Sequence, residues 1–316
     1  MRKISLLILI SAAIISCKKE HKPVQRVSST HPVIFKVGFS QTTQAINSGK
    51  LVANSLNINS TPDTSLTNHI NIIYYTVSDS AGNILHNVYQ TSGDTAFGRY
   101  TDNLHPGKYT VAISAGTNIG VSGGATGLLN DAFIYGPGGV NSSQGFVSDV
   151  FFKRISVTVG NSTVTTSVAL NRLTSRLIVN INDAIPVNSN YATITISNVA
   201  SRYYVGNDRI INVNGGGNNG GTYNYAIPAS AAGTLNYRIV TDFMYLADFD
   251  VGIEIGQTTN QTTTVYGSKT VPAVTAAPNK ITLLSGNLFG GTGTTSTSGF
   301  QVATDTSWNT PIVKTF

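Results

Sequence analysis

The residue with the most distinctive chemistry in this sequence is Cys17, the only cysteine among 316 residues. The residues before it follow the plan of a secretory signal, with basic Arg2 and Lys3, an apolar run over residues 4–15 and small Ser16. The apolar run is about a dozen residues, shorter than the ~20 that span a bilayer, so a permanent transmembrane helix is not predicted. A lone thiol also excludes an intramolecular disulfide.

The Ile-Ile-Ser-Cys string at residues 14–17 resembles a bacterial lipobox, in which the chain is cut just before the cysteine and the thiol is lipidated. The resemblance implies a lipoprotein signal peptide over residues 1–16, cleavage between Ser16 and Cys17, and several acyl chains on Cys17. One acyl chain binds a membrane only marginally, whereas several form a stable anchor. An ordinary signal peptide with an unmodified thiol is the alternative. Residues 17–32 are polar and aperiodic, which predicts a flexible tether.

Two glycine-rich strings match catalytic or nucleotide-binding motifs without the context that these motifs need. Residues 120–124 fit the G-x-S-x-G nucleophile elbow, which requires a strand-to-helix turn and a histidine partner for Ser122. Residues 215–220 fit G-x-G-x-x-G, which binds a dinucleotide only where it opens a helix. A strand-like pattern follows the second string at residues 222–225, so both strings are predicted to be loops.

Side chains that could hold a metal or transfer protons are scattered along the sequence. No two histidines lie four residues apart, and no H-E-x-x-H string occurs, so no zinc ligands are predicted. The acidic residues do not group as acid–base pairs would require. We therefore predict no catalytic residue, no cofactor and no metal. The five histidines are His21, His31, His69, His86 and His105.

Composition predicts a β protein. Hydrophobic residues make up 41% and charged residues only 11%, against ~25% charged in typical globular proteins. Good helix formers are scarce, and Gly, Thr, Ser and Asn are frequent. Twenty basic and 14 acidic residues give a net charge of +6, and loss of Arg2 and Lys3 leaves about +4. The basic residues are dispersed, so nucleic acid is not a predicted partner.

Apolar residues alternate with polar ones at the period of half-buried strands along most of the chain. The pattern is all-β, with two tandem antiparallel β-sandwiches over residues 33–171 and 172–316. Glycine-rich loops are predicted at about residues 116–143 and 214–221. The strand-like segments are residues 33–39, 70–77, 84–89, 109–115, 155–159, 164–170, 177–181, 194–196, 235–245, 249–255 and 279–284.

The C-terminal segment is a candidate for strand exchange. A low-complexity linker over residues 290–299 separates it from the preceding strand pattern. An extended segment on such a linker can complete the sheet of its own domain or add to the sheet edge of a neighbour. A terminal strand of its own domain is the simpler alternative. The apolar residues that would carry the exchange are Phe300, Val302, Trp308 and Ile312.

Four stretches, together with the lipobox, resemble the fimbrillin-type and fimbrial-anchor lipoproteins of the Bacteroidota, which are related to type V pili. Residues 72–83 and 104–116 are similar to the family's strand, G-x-Y, strand segment. Residues 168–177 are similar to its V-x-L-x-R…R domain junction, and residues 279–289 to its C-terminal core strand. The charged residues just after Cys17 loosely match the surface-export signal of such lipoproteins, although a solvated linker explains them equally.

The resemblance implies two transthyretin-like, Greek-key sandwiches on a lipid anchor, at the cell surface of the outer membrane. It implies adhesion or pilus assembly with other fimbrial or surface proteins as partners. Family pilins mature by cleavage after a basic residue, but neither Arg26 nor Arg176 lies in a distinctive context, so this step is not carried over. The alternative is a glycan-binding lipoprotein of a polysaccharide uptake system, with loop aromatics Tyr135, Tyr203 and Tyr204 contacting the glycan.

Overall fold

The computed structural model describes residues 29–39, 65–136, 148–212, 220–289 and 300–304. These ranges contain β-strands and three single-turn 3₁₀ helices, and no α-helix. The all-β prediction is therefore confirmed. None of the described helices is both long and apolar enough to span a membrane. Residues 1–28 of the predicted signal peptide and tether lie outside the described residues, and the first strand begins at His31, within the range predicted as tether.

The strands are numbered in chain order. The first nine are β1 (His31–Phe39), β2 (Ile72–Ser78), β3 (Ile84–Thr91), β4 (Arg99–Leu104), β5 (Gly107–Gly116), β6 (Gly120–Ser122), β7 (Phe133–Tyr135), β8 (Val150–Val159) and β9 (Val164–Arg172). The others are β10 (Ser175–Ile181), β11 (Tyr191–Ile196), β12 (Arg202–Tyr204), β13 (Ile210–Ile211), β14 (Gly221–Ala226), β15 (Tyr237–Phe243), β16 (Phe249–Thr259), β17 (Thr262–Val274), β18 (Ile281–Gly286) and β19 (Phe300–Thr304).

The first half of the chain, up to β9, forms one seven-stranded sheet in the order β3-β2-β5-β8-β9-β1-β4. Strands β8 and β9 pair only at Phe151–Arg172 and Phe152–Asn171, so the sheet bends there into two layers. The layers enclose a core to which alternate residues of each strand contribute, such as Phe35 of β1 and Tyr75 of β2, both fully buried. The first strand, β1, lies between β9 and β4, parallel to β9 and antiparallel to the edge strand β4.

Side chains link the two edges of this bent sheet, β3 and β4. The Nδ1 atom of His86 lies 2.6 Å from Oδ2 of Asp102. The Gln90 amide donates to the carbonyl oxygen of Arg99 at 2.9 Å, and its Oε1 accepts from the backbone N–H of Gly98 at 3.2 Å. Polar side chains thus connect two edges that lack a backbone ladder between them. His86, one of the five histidines of the sequence, takes part in a structural contact.

The second half repeats this arrangement in two four-stranded sheets, β15-β10-β18-β19 and β14-β11-β16-β17. Its first strand, β10, is parallel to β18 as β1 is parallel to β9. Strand β11 lies between β14 and β16 as β2 lies between β3 and β5. Fully buried residues such as Phe243 and Ile255 fill the space between the two sheets. Strand β19 extends the second half beyond this shared pattern. The predicted division at residues 171 and 172 stays a prediction.

A fourth sheet, β13-β12-β7-β6, takes strands from both halves. It includes residues 120–122 and 133–135, for which the sequence predicted a single long loop over 116–143, so that prediction is wrong for these residues. Three-residue strands are too short to show an alternating pattern in the sequence. Their stability comes from the pairing of β6 with β7 and of β7 with β12, and from a core that includes Ile134 and Tyr203. Residues 137–143 of the predicted loop lie outside the described residues.

Candidate strand-addition site

Strand β19 contains two of the four residues predicted to exchange, Phe300 and Val302. It pairs in antiparallel register with β18, from Gly286–Phe300 to Thr282–Thr304. On its other side β18 pairs with β10, so β19 forms the edge of the sheet among the described strands. An edge strand presents backbone N–H and C=O groups to one side, which is the usual template for adding a strand from another chain.

The side chains of Phe300 and Val302 are the ones described in β19. Phe300 is partly buried against the core of the second half, and the Lys269 ammonium lies 5.8 Å from the centre of its ring. Val302 is 46% exposed, although the residue opposite it in β18, Leu284, is fully buried. Of these two side chains, Phe300 therefore contributes more apolar burial to holding β19 in place than Val302 does.

The chain that leads from β18 towards β19 is fixed at its start by Asp183. The Oδ2 atom of Asp183 accepts the backbone N–H of Leu288 at 2.7 Å and of Phe289 at 2.6 Å. Residues 290–299 follow and lie outside the described residues. Leu288 and Phe289, the last described residues before β19, are therefore held in place by the Asp183 carboxylate.

The remaining predicted site residues cannot be placed. Ser16, Cys17, Trp308 and Ile312 all lie outside the described residues, so lipidation and exchange of the tail stay predictions. The structure brings Phe300 and Val302 together on one strand of the chain's own second half, which is the arrangement of the simpler alternative.

The two glycine-rich strings and the histidines do not form a catalytic or metal site in the described part of the chain. The hydroxyl of Ser122 accepts the backbone N–H of Gly124 at 3.3 Å, and strand β6 leads into a turn. Residues 215–219 lie outside the described residues. Across the described ranges, no three His, Cys, Asp or Glu side chains converge on one point where a metal ion could bind.

The loop aromatics predicted as glycan contacts divide between the two faces of the fourth sheet. Tyr203 is 6% exposed and faces the core, while Tyr135 and Tyr204 share the opposite face. On this second face Phe133 and Tyr204 are also buried, 8% and 9% exposed, beneath the guanidinium groups of Arg202 and Arg209, and three of these residues were not singled out from the sequence. The only sequence signal for them is alternation within two triplets, at residues 133–135 and 202–204. The missed residues are Phe133, Arg202 and Arg209.

No protein-family model matches this chain, and a search of curated proteins finds no match to it. Solved structures do match. A candidate adhesin from Bacteroides ovatus aligns with a TM-score of 0.50 at 11% identity, over 88% of this chain and 95% of that chain. The fimbrial anchor protein Mfa2 from Porphyromonas gingivalis aligns with a TM-score of 0.43 at 11% identity, over 82% and 91%. A candidate polysaccharide-binding protein from Bacteroides thetaiotaomicron aligns with a TM-score of 0.47 at 12% identity, over 82% and 92%.

The match to the Bacteroides ovatus structure shows a shared fold. At 11% identity it carries no information about individual residues. The resemblance to fimbrillin-type proteins predicted from the sequence is therefore confirmed at the level of the fold.

Proposed function

We propose that this protein is a cell-surface lipoprotein of the fimbrillin or fimbrial-anchor type, which acts in adhesion or pilus assembly and catalyses no reaction. The observation that carries the proposal is the five-residue strand β19 at the sheet edge among the described strands, with Phe300 partly buried and Val302 exposed, on a fold shared with a candidate adhesin. That relative favours adhesion over the alternative of polysaccharide uptake. The proposed partners are the membrane, through acylated Cys17, and other fimbrial or surface proteins.

Strand addition would use the β18 edge. The backbone groups of β18 that bind β19 would accept an equivalent strand from another subunit in the same register. Alternate residues of the added strand would share one face, and the residue at the position of Phe300 would pack against the core as Phe300 does now. Trp308 and Ile312 would add apolar contacts beyond the five residues of β19.

If a strand from another chain can replace β19, a substitution that loosens β19 from its sheet should increase the affinity of the protein for a free peptide with the β19 sequence. In the full-length protein, Phe300→Asp removes the apolar anchor and should raise the affinity for a labelled peptide of residues 300–316 by about tenfold, which corresponds to 1.4 kcal/mol. The measurement is fluorescence anisotropy of the peptide. A peptide that itself carries Phe300→Asp and Val302→Asp is the matched control. If the two peptides bind alike, addition at this edge is wrong.

Lipid anchoring predicts a change of location when the thiol is removed. The wild-type protein should remain with intact cells and be cleaved by an external protease, whereas Cys17→Ala should lose its membrane attachment. The measurement is immunoblotting of cells and medium before and after protease treatment. Ser28→Ala, in the same predicted tether, should behave as wild type. A wild-type protein that resists the protease faces the periplasm, and that result would contradict surface adhesion.

A further inference from the structure

The two halves of the chain share one arrangement of their terminal strands. In each half, the first strand pairs in parallel with a strand at the C-terminal end of that half. These strands are β1 with β9 and β10 with β18, and we refer to them as the two parallel pairs. The first pair extends from Val33–Val164 to Phe39–Leu170, and the second from Arg176–Ile281 to Ile181–Gly286.

The parallel orientation determines how each pair responds to a pull on the chain. The chain enters a pair at the N-terminal end of one strand and leaves it at the C-terminal end of the other, which lies at the opposite end of the ladder. Tension between the two ends of the chain therefore pulls the paired strands past each other, so that their backbone hydrogen bonds must break together. An antiparallel hairpin that is pulled at its two free ends opens one residue pair at a time. Strands β1 and β10 are also held on their other sides, by β4 and β15.

A short, bonded junction connects the first parallel pair to the second. Only Leu173 and Thr174 separate β9 from β10. The last residue of β9, Arg172, is buried, and its guanidinium binds Asp149 at 2.9 Å and donates to the side-chain oxygen of Asn279 at 3.3 Å. The carbonyl oxygen of Thr174 accepts the backbone N–H of Asn279 at 2.8 Å. The C-terminal end of β9 is thus bonded to the segment that leads into β18, so tension passes from one pair to the other.

Side chains reinforce the second parallel pair at the end where the chain leaves it. Asp183 follows β10, and its carboxylate accepts the backbone N–H groups of Leu288 and Phe289, at 2.7 and 2.6 Å, just after β18. Asn180 of β10 donates to the hydroxyl of Ser285 in β18 at 3.1 Å. Hydrogen bonds to an ionised acceptor are about twice as strong as neutral ones. The strongest of these added bonds therefore lie where tension from the C-terminal tail reaches β18.

We infer that this protein carries mechanical tension between its two ends, and that the two parallel pairs are the elements that resist it. The inference rests on the proposed function, in which the N-terminal side is anchored to the membrane and the C-terminal tail joins a neighbouring subunit. A protein attached in this way is pulled along its chain whenever the cell moves relative to that neighbour. Strand β19 is antiparallel to β18, so tension on the tail should peel it off from the Thr304–Thr282 end before β18 is pulled.

The test is an optical-tweezers measurement of how long the unlipidated full-length protein stays folded at constant force. Handles on Cys17 and on a cysteine added after Phe316 pull along both parallel pairs. Handles on Cys17 and on Ser162→Cys, in the exposed turn before β9, pull the same β1 and β9 apart from one end. The length released in each step identifies the half that has unfolded. The first half should stay folded about tenfold longer in the first geometry, because forced unfolding follows the unfolding rate and many bonds must break at once.

A pair of aspartate substitutions tests the second parallel pair. Under tension between Cys17 and the C-terminus, Asp183→Ala should shorten the folded lifetime of the second half by about tenfold, because it removes two bonds to a charged acceptor. Asp250→Ala is the matched control. The carboxylate of Asp250 also accepts a backbone N–H, from Ala273 at 3.0 Å, but it joins β16 to β17 outside the parallel pairs. Its loss should change the lifetime by less than about twofold. Urea unfolding without force checks that each variant is folded.

Two results would overturn the inference. The first is a lifetime of the first half that is equal or shorter when the protein is pulled by its two ends, because the orientation of the strands would then give no resistance. The second is an equal effect of Asp183→Ala and Asp250→Ala under tension, which would indicate a general loss of stability. Neither result bears on strand addition, since peptide binding at the β18 edge is measured without force. Failure of the peptide to bind would likewise leave the resistance of the parallel pairs unchanged.

Discussion

Replacing Arg172 by methionine is expected to lower the free energy of unfolding by about 3–5 kcal/mol, because it leaves a buried carboxylate without its cation. Arg172 and Asp149 are 5% and 6% exposed. The arginine Nε lies 2.9 Å from Oδ1 of Asp149, and its Nη2 donates to Oδ2 at 3.0 Å. In the variant, the bond from the Thr174 hydroxyl at 3.3 Å would remain to the carboxylate.

The loss of unfolding free energy in Arg172→Met should increase with pH. Burial raises the pKa of Asp149, and the positive charge of Arg172 opposes that shift. Without the arginine, the folded variant should bind a proton at Asp149 more readily than the unfolded chain does. A folded state that binds more protons loses stability as pH rises. Urea unfolding should therefore show a larger deficit for Arg172→Met at pH 7.5 than at pH 5.

Two further variants test this explanation. Arg99→Met, on an exposed edge strand, should change stability by less than about 0.5 kcal/mol. The double variant Arg172→Met with Asp149→Leu removes both charges and should recover most of the loss, since apolar replacement of a buried pair is often neutral. A double variant as unstable as the single one would show that packing, and not the unpaired charge, causes the loss.

The separation of Arg172 and Asp149 along the chain explains why the sequence singled out Arg172 but did not predict its buried ion pair. Residues 168–177 were singled out for their V-x-L-x-R…R pattern. The partners lie far along the chain, with Asp149 23 residues before Arg172 and Asp242 66 residues after Arg176. Only folding brings them within 3.0 Å. The sequence pattern identifies the two arginines, but the residues near them in sequence do not indicate which carboxylates they bind.

The strands themselves were largely predictable, because one buried face imposes a period of two. Residues 109–115 and 177–181 alternate or are densely apolar, and they form β5 and β10. The period of a strand shows which of its residues share a face, but it does not show which strands pair with each other. The parallel contacts of β1 with β9 and of β10 with β18 could not be inferred from it.

The fourth sheet could not be predicted from the alternation of apolar and polar residues. Its strands have two or three residues each, and β7 pairs with β12 some 70 residues away. Gly120 and Ser122 suggested a loop, since small residues are common in turns. In the folded chain, the missing side chain at Gly120 makes room for the ring of Tyr135. Tertiary pairing brings Phe133 and Tyr135 beside Arg202 and Tyr204, and the sequence showed only the separate tyrosines.

Replacing Phe35 by alanine is expected to cost about 3–5 kcal/mol of unfolding free energy, the usual range for a buried phenylalanine in a close-packed core. Phe35 is fully buried in β1. Its ring centre lies 6.4 Å from those of both Tyr75 and Tyr100, and it stacks on Tyr100 with an angle of 11° between the planes. Lys36, the next residue, is exposed and provides the matched control, with Lys36→Ala expected within about 0.5 kcal/mol.

The loss should spread beyond the cavity, because β1 pairs along its length with β9 on one side and β4 on the other. Tyr75, a ring neighbour of Phe35, donates its hydroxyl to Gln90 at 3.0 Å, and Gln90 links β3 to β4. Hydrogen exchange of Phe35→Ala should therefore show faster exchange in β4 and β9, with β16 in the second half unchanged. Uniformly faster exchange in both halves would instead show that the chain unfolds as one cooperative unit. Loss of protection in β1 alone would show that this strand is not the central support of the first half.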